Sequence, residues 1–206
     1  MAKNPQWRGS LATWRARIAE WVGRTSPEDL LSVDIFFDLR GVHGDGTLAT
    51  AVWHQAFDAT RGEAAFAKLL ADAAGSTRPG LGLFGGIKTE QGRIDLKMAG
   101  LFGIVTAARV LAIRHDIRER ATPARLAAVK ALGLGAAQDL DALDDAQAVF
   151  LDLVLAQQIA DIESGRPATN AVAMKRLSAR ERERLRGALE AVKHVDAMTR
   201  DLLFKS

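Results

Sequence analysis

Apolar and polar side chains alternate from residue 33 to residue 40, and this period of two predicts a half-buried β-strand. One face of that strand would be apolar, and the other would present the carboxylates of Asp34 and Asp38 beside Arg40. A glycine-rich turn follows, and Thr47 is the predicted N-cap of the next helix. Such a strand can hold a metal ion or a phosphate, or it can be an ordinary strand with one solvated face. The pattern alone leaves both interpretations open.

Beyond this strand, most of the chain shows the three-to-four-residue spacing of amphipathic helices. The predicted helices span residues 10–22, 47–74, 98–115, 122–133, 139–164 and 178–202. Leu48, Leu69 and Ile162 are among their predicted core residues, and Ser178 and Glu181 form a predicted capping box at the start of the last helix. The second is expected to break at Arg61–Gly62, and a single helical turn is expected to begin at Ser26. Tryptophans at positions 7, 14 and 21 are about two helical turns apart, which predicts one core-facing stripe. Stacking of these indoles on nucleic-acid bases is the weaker alternative.

Gly75–Gly80 interrupts the helical pattern and is the predicted boundary between two parts of the chain. Short strands at residues 81–84 and 93–97 are expected to form an irregular hairpin after it. Four helices with short connections then predict an antiparallel bundle. The predicted fold is mainly α (α+β) with few strands. A partial α/β unit covers residues 1–80, and the hairpin and a four-helix-type bundle cover residues 81–206.

Composition excludes several classes of protein. Hydrophobic residues make up 48% of the 206 residues, which is enough for a full core. The 28 basic residues exceed the 25 acidic ones by only three, so no nucleic-acid partner is expected. The absence of cysteine excludes disulfides, thiolate nucleophiles and cysteine-ligated zinc. No 18-residue apolar stretch and no signal peptide are present, so no membrane partner is expected and a cytoplasmic location is the default.

Arg109 and Arg114 are the most informative charged residues on the predicted bundle helices. They lie on the helix predicted over residues 98–115, close in sequence to Asp95 and Lys97. Arginines on an inward helix face need a carboxylate or a bound anion, because a buried unpaired charge is costly. A bound anion and an ordinary surface ion pair are both open for these two residues.

Several short motifs occur in an order that carries more information than each motif alone. They are Ile35-Phe-Phe-Asp38-x-Arg40 with Gly44-Asp45, Gly92-x-Ile94-Asp95-Leu-Lys97, Ala108-Arg109, Thr122-x-x-Arg125-Leu126, Gln157-Gln158, Gly165-x-Pro167-x-Asn170 and Ser178-x-x-Glu181. Together they resemble the C-terminal part of bacterial signal-transduction proteins that carry a nucleotidyltransferase domain and a helical nucleotidyltransferase substrate-binding domain. The first two motifs are also similar to parts of the uridylyltransferases that modify the nitrogen-regulatory signalling protein.

The resemblance implies a polymerase-β-like site, in which an Asp-x-Asp pair after a Gly-Ser turn holds Mg²⁺ in the intact protein. In the family this motif lies upstream of the segment with which the present sequence begins. No Gly-Ser turn followed by Asp-x-Asp on a predicted strand occurs in the sequence. Asp38 then matches the third, metal-binding carboxylate, with Asp34 as a weaker candidate. A lone carboxylate is not expected to hold Mg²⁺ tightly, because its other ligands would be waters.

The resemblance also implies a set of residues that bind the substrate or nucleotide. They are Arg40, Asp45, Asp95, Lys97, Arg109, Gln158 and Asn170. The ligands would be a nucleoside triphosphate and an acceptor of unknown class, with proteins among the candidates. In a full-length protein, cyclic-nucleotide-binding and CBS modules would come first.

Two functions from different classes stay open at this point. The first is the substrate-binding portion of a nucleotidyltransferase-like signal-transduction protein, inactive alone because the Gly-Ser…Asp-x-Asp motif is absent. The alternative is a non-catalytic protein–protein interaction or regulatory module that docks through the bundle and the tryptophan stripe. A truncated α/β unit would expose a sheet edge and apolar surface, so a homodimer is one of the options.

Overall fold

A computed structural model describes residues 3–24, 35–74, 80–82 and 85–204 of the chain. Its helices are α1 (Leu11–Arg24), α2 (Gly46–Thr60), α3 (Ala64–Ala74), α4 (Phe102–Arg114), α5 (Thr122–Ala131), α6 (Ala137–Glu163), α7 (Ala179–Val192) and α8 (Val195–Leu203). The strands are β1 (Arg93–Asp95) and β2 (Ala171–Ala173), which form one two-stranded antiparallel sheet. This arrangement confirms the prediction of a mainly α fold with few strands.

Most helices begin and end close to their predicted limits, but the single helix predicted over residues 178–202 is wrong, because Lys193 and His194 separate α7 from α8. The break expected at Arg61–Gly62 separates α2 from α3, and Gly62 adopts a positive φ of 83° there. The capping box predicted at the start of α7 is present, with Ser178 and Glu181 bonding to each other's backbone amides. The helical turn predicted at Ser26 and positions 75–79 of the predicted boundary lie outside the described residues.

The strand predicted over residues 33–40 is wrong for the part that the structure describes. Ile35–Asp38 forms a 3₁₀ helix, and Asp34 lies outside the described residues. The alternation fails at Phe36, an apolar residue on the face that was expected to be solvated. Phe36 is 5% exposed and Phe37 is fully buried, so both sides of the segment face protein. Among the described residues of the first 74 there is no strand, and the regular elements there are all helical.

The tryptophan stripe faces the core, as predicted. The rings of Trp7, Trp14 and Trp21 lie 6.3 to 6.5 Å apart, which is within the range of favourable aromatic contacts. Phe36 packs against Trp14 and Trp21 at 5.0 and 5.4 Å between ring centroids. The aromatic rings of α1 therefore fix one side of the Ile35–Asp38 turn.

The predicted hairpin over residues 81–97 is wrong, because the second strand finds a distant partner. β1 pairs with β2, with Ile94 opposite Val172, whereas Leu81 forms only a single bridge with Ile87. Both Ile94 and Val172 are buried, at 4% and 2% exposed. Turn residues around Gly92 predicted a local pairing, but burial of these two side chains against the bundle selects the long-range one.

Helix α4 contributes to both hydrophobic cores of the protein. One core lies within the bundle and includes Ile104, Ala108 and Leu111 of α4. The other lies among α1, α2 and α3, and it is completed by Val110 and Ile113 of α4 and by Leu203 of α8. The N-terminal helices therefore share a core with the bundle across the predicted boundary, and the domain division itself stays a prediction.

Three residues predicted for the core are on the surface instead. Leu48, Leu69 and Ile162 are 53%, 38% and 65% exposed.

Thr47 is not the cap of α2, because Asp45 takes that position and accepts hydrogen bonds from the amide and hydroxyl of Thr47 at 2.9 and 2.6 Å. These hydrogen bonds lower the pKa of Asp45.

In the described part of the chain, no helix combines the length and apolar character that crossing a bilayer requires.

Gly100 lets α6 approach the start of α4. It lies in the π-helical turn Lys97–Leu101, and a Cβ placed on it would come within 2.2 Å of the ring of Phe150. Phe150 is fully buried and surrounded by the bundle core, so its ring has no free space to move into.

Replacing Gly100 with alanine is expected to lower the free energy of unfolding by about 1–3 kcal/mol, the usual cost of overpacking a core. Gly187→Ala in α7 is the matched control, because a Cβ there meets nothing within 4 Å. It should be neutral or stabilise by up to about 1 kcal/mol through helix propensity. Urea denaturation followed by circular dichroism measures both, and equal losses in the two variants would contradict the packing argument.

The C-terminal end of α4 is hydrogen-bonded to the end of α8. Arg114 Nε donates to the carbonyl of Leu203 at 2.8 Å, and His115 Nε2 lies 3.2 Å from the carbonyl of Leu202. Burial lowers the pKa of His115 from its ordinary value of 6.5, although the contact with Leu202 opposes this shift.

The free energy of unfolding should therefore fall as the pH decreases below about 6.5, because the unfolded chain binds a proton at His115 before the folded chain does. Above that pH the imidazole is neutral in both states and the effect vanishes. His115→Gln should show a flatter pH dependence between pH 7 and pH 5 than the unmodified chain in urea denaturation. Identical slopes would show that His115 is not the group responsible.

Candidate functional site

The carboxylate of Asp38 joins the N-terminal segment to two helices of the bundle. Arg109 Nη2, from α4, donates to Oδ2 at 2.5 Å, and Arg125 Nη2, from α5, donates to Oδ1 at 2.7 Å. The side chain of Arg125 is 1% exposed and that of Arg109 is 12% exposed, whereas Asp38 is 39% exposed. Both oxygens of this one carboxylate are thus paired with largely buried guanidinium groups, which makes the contact a charge-assisted one on each side.

Arg125 also holds the backbone of the Ile35–Asp38 turn in place. Arg125 donates through Nη2 to the carbonyl of Phe37 at 3.0 Å and through Nε to the carbonyl of Glu119 at 2.8 Å. Trp53 Nε1 donates to the Phe37 carbonyl as well, at 3.1 Å. The turn that carries Asp38 is thus held by buried hydrogen bonds from α2 and α5.

A second charged network lies beside this turn, at the end of α4. Arg118 donates to Asp58 at 2.7 Å and to Asp116 at 3.0 Å, and it also contacts the ring of His54. Partial burial opposes the charge of Arg118, but the hydrogen bonds to the two carboxylates outweigh it and raise its pKa. The hydrogen bond from Arg118 lowers the pKa of Asp58. Arg118, Asp58 and Asp116 are thus paired with one another, and the network stabilises the fold at this place.

Four of the predicted binding residues lie together at the start of α4. Asp95 accepts hydrogen bonds from the amides of Lys97 and Met98 at 3.0 and 3.2 Å, and so caps the π-helical turn. Gln158 Nε2 donates to Asn170 Oδ1 at 3.2 Å, and the carbonyl of Asn170 accepts from the amide one residue after Asp95. These contacts connect α6, the segment before β2, and the end of β1.

An open cleft of about 730 Å³ adjoins Asp95. It is lined by Gly80, Lys88, Thr89, Glu90, Gln91, Arg93, Ile94, Asp95, Met98, Ala99 and Ala171. Its charged groups project from the turn before β1 and from β1, while Ile94 and Ala99 give it a buried apolar floor. The guanidinium of Arg93 is oriented by a 2.8 Å hydrogen bond to the carbonyl of Ala171.

The predicted site residues therefore fall into two groups rather than one groove. Lys97 and Arg109 are 12 residues apart along α4 and the turn before it, a distance of about 18 Å. Arg40 is exposed two residues after Asp38, and Asp45 caps α2. One group surrounds Asp38 and Arg109, and the other surrounds Asp95.

Comparison with known families covers most of the bundle and α3. Residues 64–201 match the model of the family described as "putative nucleotidyltransferase substrate binding domain". The chain belongs to this family. No curated protein and no solved structure matches the chain.

Some of the candidate residues lie inside the range that matches the nucleotidyltransferase substrate-binding domain, and others lie before it. Asp95, Lys97, Arg109, Gln158 and Asn170 lie inside the matched residues, as does the cleft. Asp38, Arg40 and Asp45 lie before them. The ion pairs of Asp38 therefore connect a segment outside the family match to two arginines inside it.

Two buried polar residues of the substrate-binding domain were not predicted as site residues. Arg125 occupies the apolar face of α5 with Thr122, Leu126 and Val129, and all four side chains are buried. The spacing of i, i+3, i+4 and i+7 places an arginine on a core face, and that signal could have identified Arg125 from the sequence. Gln157 is 3% exposed and accepts from the amide of Ala173, which fixes β2 to α6.

The carboxylate predicted to bind magnesium is paired with arginines in the structure. Asp38 is the carboxylate available at the first group, and both of its oxygens already accept from arginines. No cluster of three or more histidine or acidic side chains suited to a metal ion occurs in the described ranges. Magnesium binding stays a prediction for a longer protein that supplies further carboxylates.

Asp38→Asn is expected to lower the free energy of unfolding by about 1–3 kcal/mol, because it removes the countercharge of the buried Arg125. Asp141→Asn is the matched control, since Asp141 pairs with Lys130 on the surface and should lose at most about 1 kcal/mol. In a double-mutant cycle, Arg109→Gln should cost less when Asp38 is already replaced. Strictly additive losses, measured by urea denaturation, would show that the two residues do not interact.

Proposed function

We propose that this chain is the substrate-binding portion of a nucleotidyltransferase-like signal-transduction protein, and that a nucleotide binds in the cleft beside Asp95. The observation that supports this proposal is the cleft itself, which lies within the residues that match the family. Its volume of about 730 Å³ is within the range of small-molecule sites, which is roughly 300–1,000 Å³.

The chemistry of the cleft suits a ligand with an anionic end and an apolar end. Lys88 and Arg93 would contact the phosphates, because charge-assisted hydrogen bonds to phosphate are among the strongest available to a protein. Glu90 and Asp95 line the same cleft, so the phosphates would have to lie on the side of the two cations. Ile94 and Met98 would contact the base or the sugar. Asp95 is already used to cap the turn before α4, so its proposed role is to hold Lys97 and the cleft wall in place.

Transfer of a nucleotidyl group would require carboxylates that this sequence does not provide in the family pattern. The proposal therefore assigns binding to this chain and catalysis to an Asp-x-Asp pair in a longer protein, with Asp38 as the third carboxylate there. Cyclic-nucleotide-binding and CBS modules, the acceptor and the use of Mg²⁺ belong to the same proposal.

Isothermal titration of the chain with ATP, GTP, CTP and UTP, each with and without Mg²⁺, tests this proposal. At least one nucleotide should bind, and Lys88→Glu should weaken it by about tenfold or more, since a charge-assisted hydrogen bond contributes roughly 1.5–3 kcal/mol.

Lys193→Glu is the matched control, because it makes the same charge change at an exposed lysine paired with Glu190 at the end of α7. It should leave the affinity unchanged. Absence of binding by every nucleotide would overturn the proposal. Equal losses in both variants would show non-specific attraction rather than binding in the cleft.

A further inference from the structure

Asp161 is a buried carboxylate near the C-terminal end of α6, and the residue is 2% exposed. Its Oδ1 accepts from Gln157 Nε2 at 2.9 Å and from Arg166 Nη2 at 3.2 Å. Its Oδ2 is buried and has no hydrogen-bond partner among the described residues. Burying a carboxylate with one oxygen unsatisfied is unfavourable, so stability alone gives no reason for an acidic residue at this position.

Asp161 determines which way the side-chain amide of Gln157 faces. The two residues are four apart on α6, so their side chains lie on the same side of the helix. An ionised carboxylate can only accept hydrogen bonds, so the Nε2 group of Gln157 must face Asp161. The oxygen Oε1 then faces the other way and accepts from the backbone amide of Ala173 at 3.0 Å. Because Gln157 is 3% exposed, water has little access to replace either bond.

The amide of Ala173 lies on the edge of β2 that faces away from β1. Met174 and Asn170, the residues directly after and before β2, bond to the backbone on the side of β1. Because hydrogen-bonded and non-hydrogen-bonded pairs alternate in an antiparallel ladder, the amide of Ala173 and the carbonyl of Ala171 both point outward. Arg93 Nη1 donates to this carbonyl of Ala171 at 2.8 Å. The glutamine and the arginine therefore bond to the same edge of β2, two residues apart.

We propose that Asp161 is a positioning residue of the cleft, because it fixes Gln157, which in turn fixes the edge of β2 to which Arg93 is bonded. This role rests on the proposed function, in which Arg93 contacts the phosphates of a nucleotide. The bond to Ala171 uses one of the five donors of a guanidinium, so the others can contact a ligand in the cleft that Arg93 and Ala171 both line. A guanidinium held on one side presents its remaining donors in a fixed direction, which favours a phosphate in one orientation.

Lys88 offers a comparison within the same cleft, because its position does not depend on β2. Its backbone amide donates to the carbonyl of Gly80 at 2.8 Å, and none of the described residues of β2 or α6 hydrogen-bonds to it. Loss of the acceptor at Asp161 should therefore reduce the contribution of Arg93 to nucleotide binding and leave that of Lys88 unchanged.

Asp161→Leu and Asp161→Asn form a matched pair of variants. Both remove the negative charge and the ion pair with Arg166, but only asparagine keeps an oxygen that can accept from Gln157. The probe for isothermal titration is whichever of ATP, GTP, CTP and UTP binds the unmodified chain most tightly. Asp161→Leu should weaken its affinity by about fivefold, the usual effect of one lost hydrogen bond, and Asp161→Asn should stay within about twofold. Equal losses in the two variants would overturn the proposal.

A double-mutant cycle shows which cation is affected. Arg93→Gln should weaken binding less in the Asp161→Leu chain than in the unmodified chain, whereas Lys88→Gln should weaken it equally in both. An equal effect of Arg93→Gln in the two chains, or a reduced effect of both substitutions, would contradict positioning of Arg93. Gln157→Met removes the acceptor for Ala173, so it should give the same result, and it takes the place of Asp161→Leu if that chain does not fold.

A measurement without nucleotide separates this proposal from the proposed function. In NMR spectra, the Nη protons of Arg93 should be resolved from those of exposed arginines in the unmodified chain and in Asp161→Asn, and should merge with them in Asp161→Leu. Identical Arg93 resonances in all three chains would overturn the positioning role even if a nucleotide binds. A change confined to Asp161→Leu would support that role, and if no nucleotide then binds, the proposed function alone is wrong.

Discussion

The position of the N-terminal segment depends on the need of a buried arginine for a countercharge. Arg125 is 1% exposed, and an unpaired guanidinium at that depth would destabilise the fold by several kcal/mol. Asp38 supplies the charge, and the carbonyls of Phe37 and Glu119 satisfy further donors of Arg125. Because Arg109 joins the same carboxylate, one acidic residue determines where α4, α5 and the Ile35–Asp38 turn meet.

The ion pairs of Asp38 would stabilise this junction only weakly without the apolar contacts around them. Phe37 packs edge-on against Phe57 at 5.1 Å, and Val110 and Ile113 of α4 belong to the same core. Exclusion of water by these side chains lowers the local dielectric constant and strengthens the ion pairs. The aromatic core and the ion pairs therefore depend on each other, and the described residues before position 64 pack onto the substrate-binding domain.

The sequence alone was sufficient to predict the helices, but not to predict which strands and which charged side chains pair with each other. Helical spacing and the capping box at Ser178 located α7 correctly, because both are local signals. The partner of β1 is 78 residues away, and no local pattern specifies it. The inward position of Arg109 was inferred from its place on a helix, but its partner Asp38 was not identified from the sequence. Nothing in a single sequence shows which guanidinium a given carboxylate will meet in the fold.

The error at Ile162 has a different cause. Apolar residues occur on both sides of this helix, so its pattern is that of a helix surrounded by protein. Among the described residues only the inner side of α6 is buried, and a prediction from helical spacing then places Ile162 in the core. The inner side is closed by Phe150 and Gln157. The spacing of apolar residues along α6 therefore does not specify which of its two apolar sides faces the core.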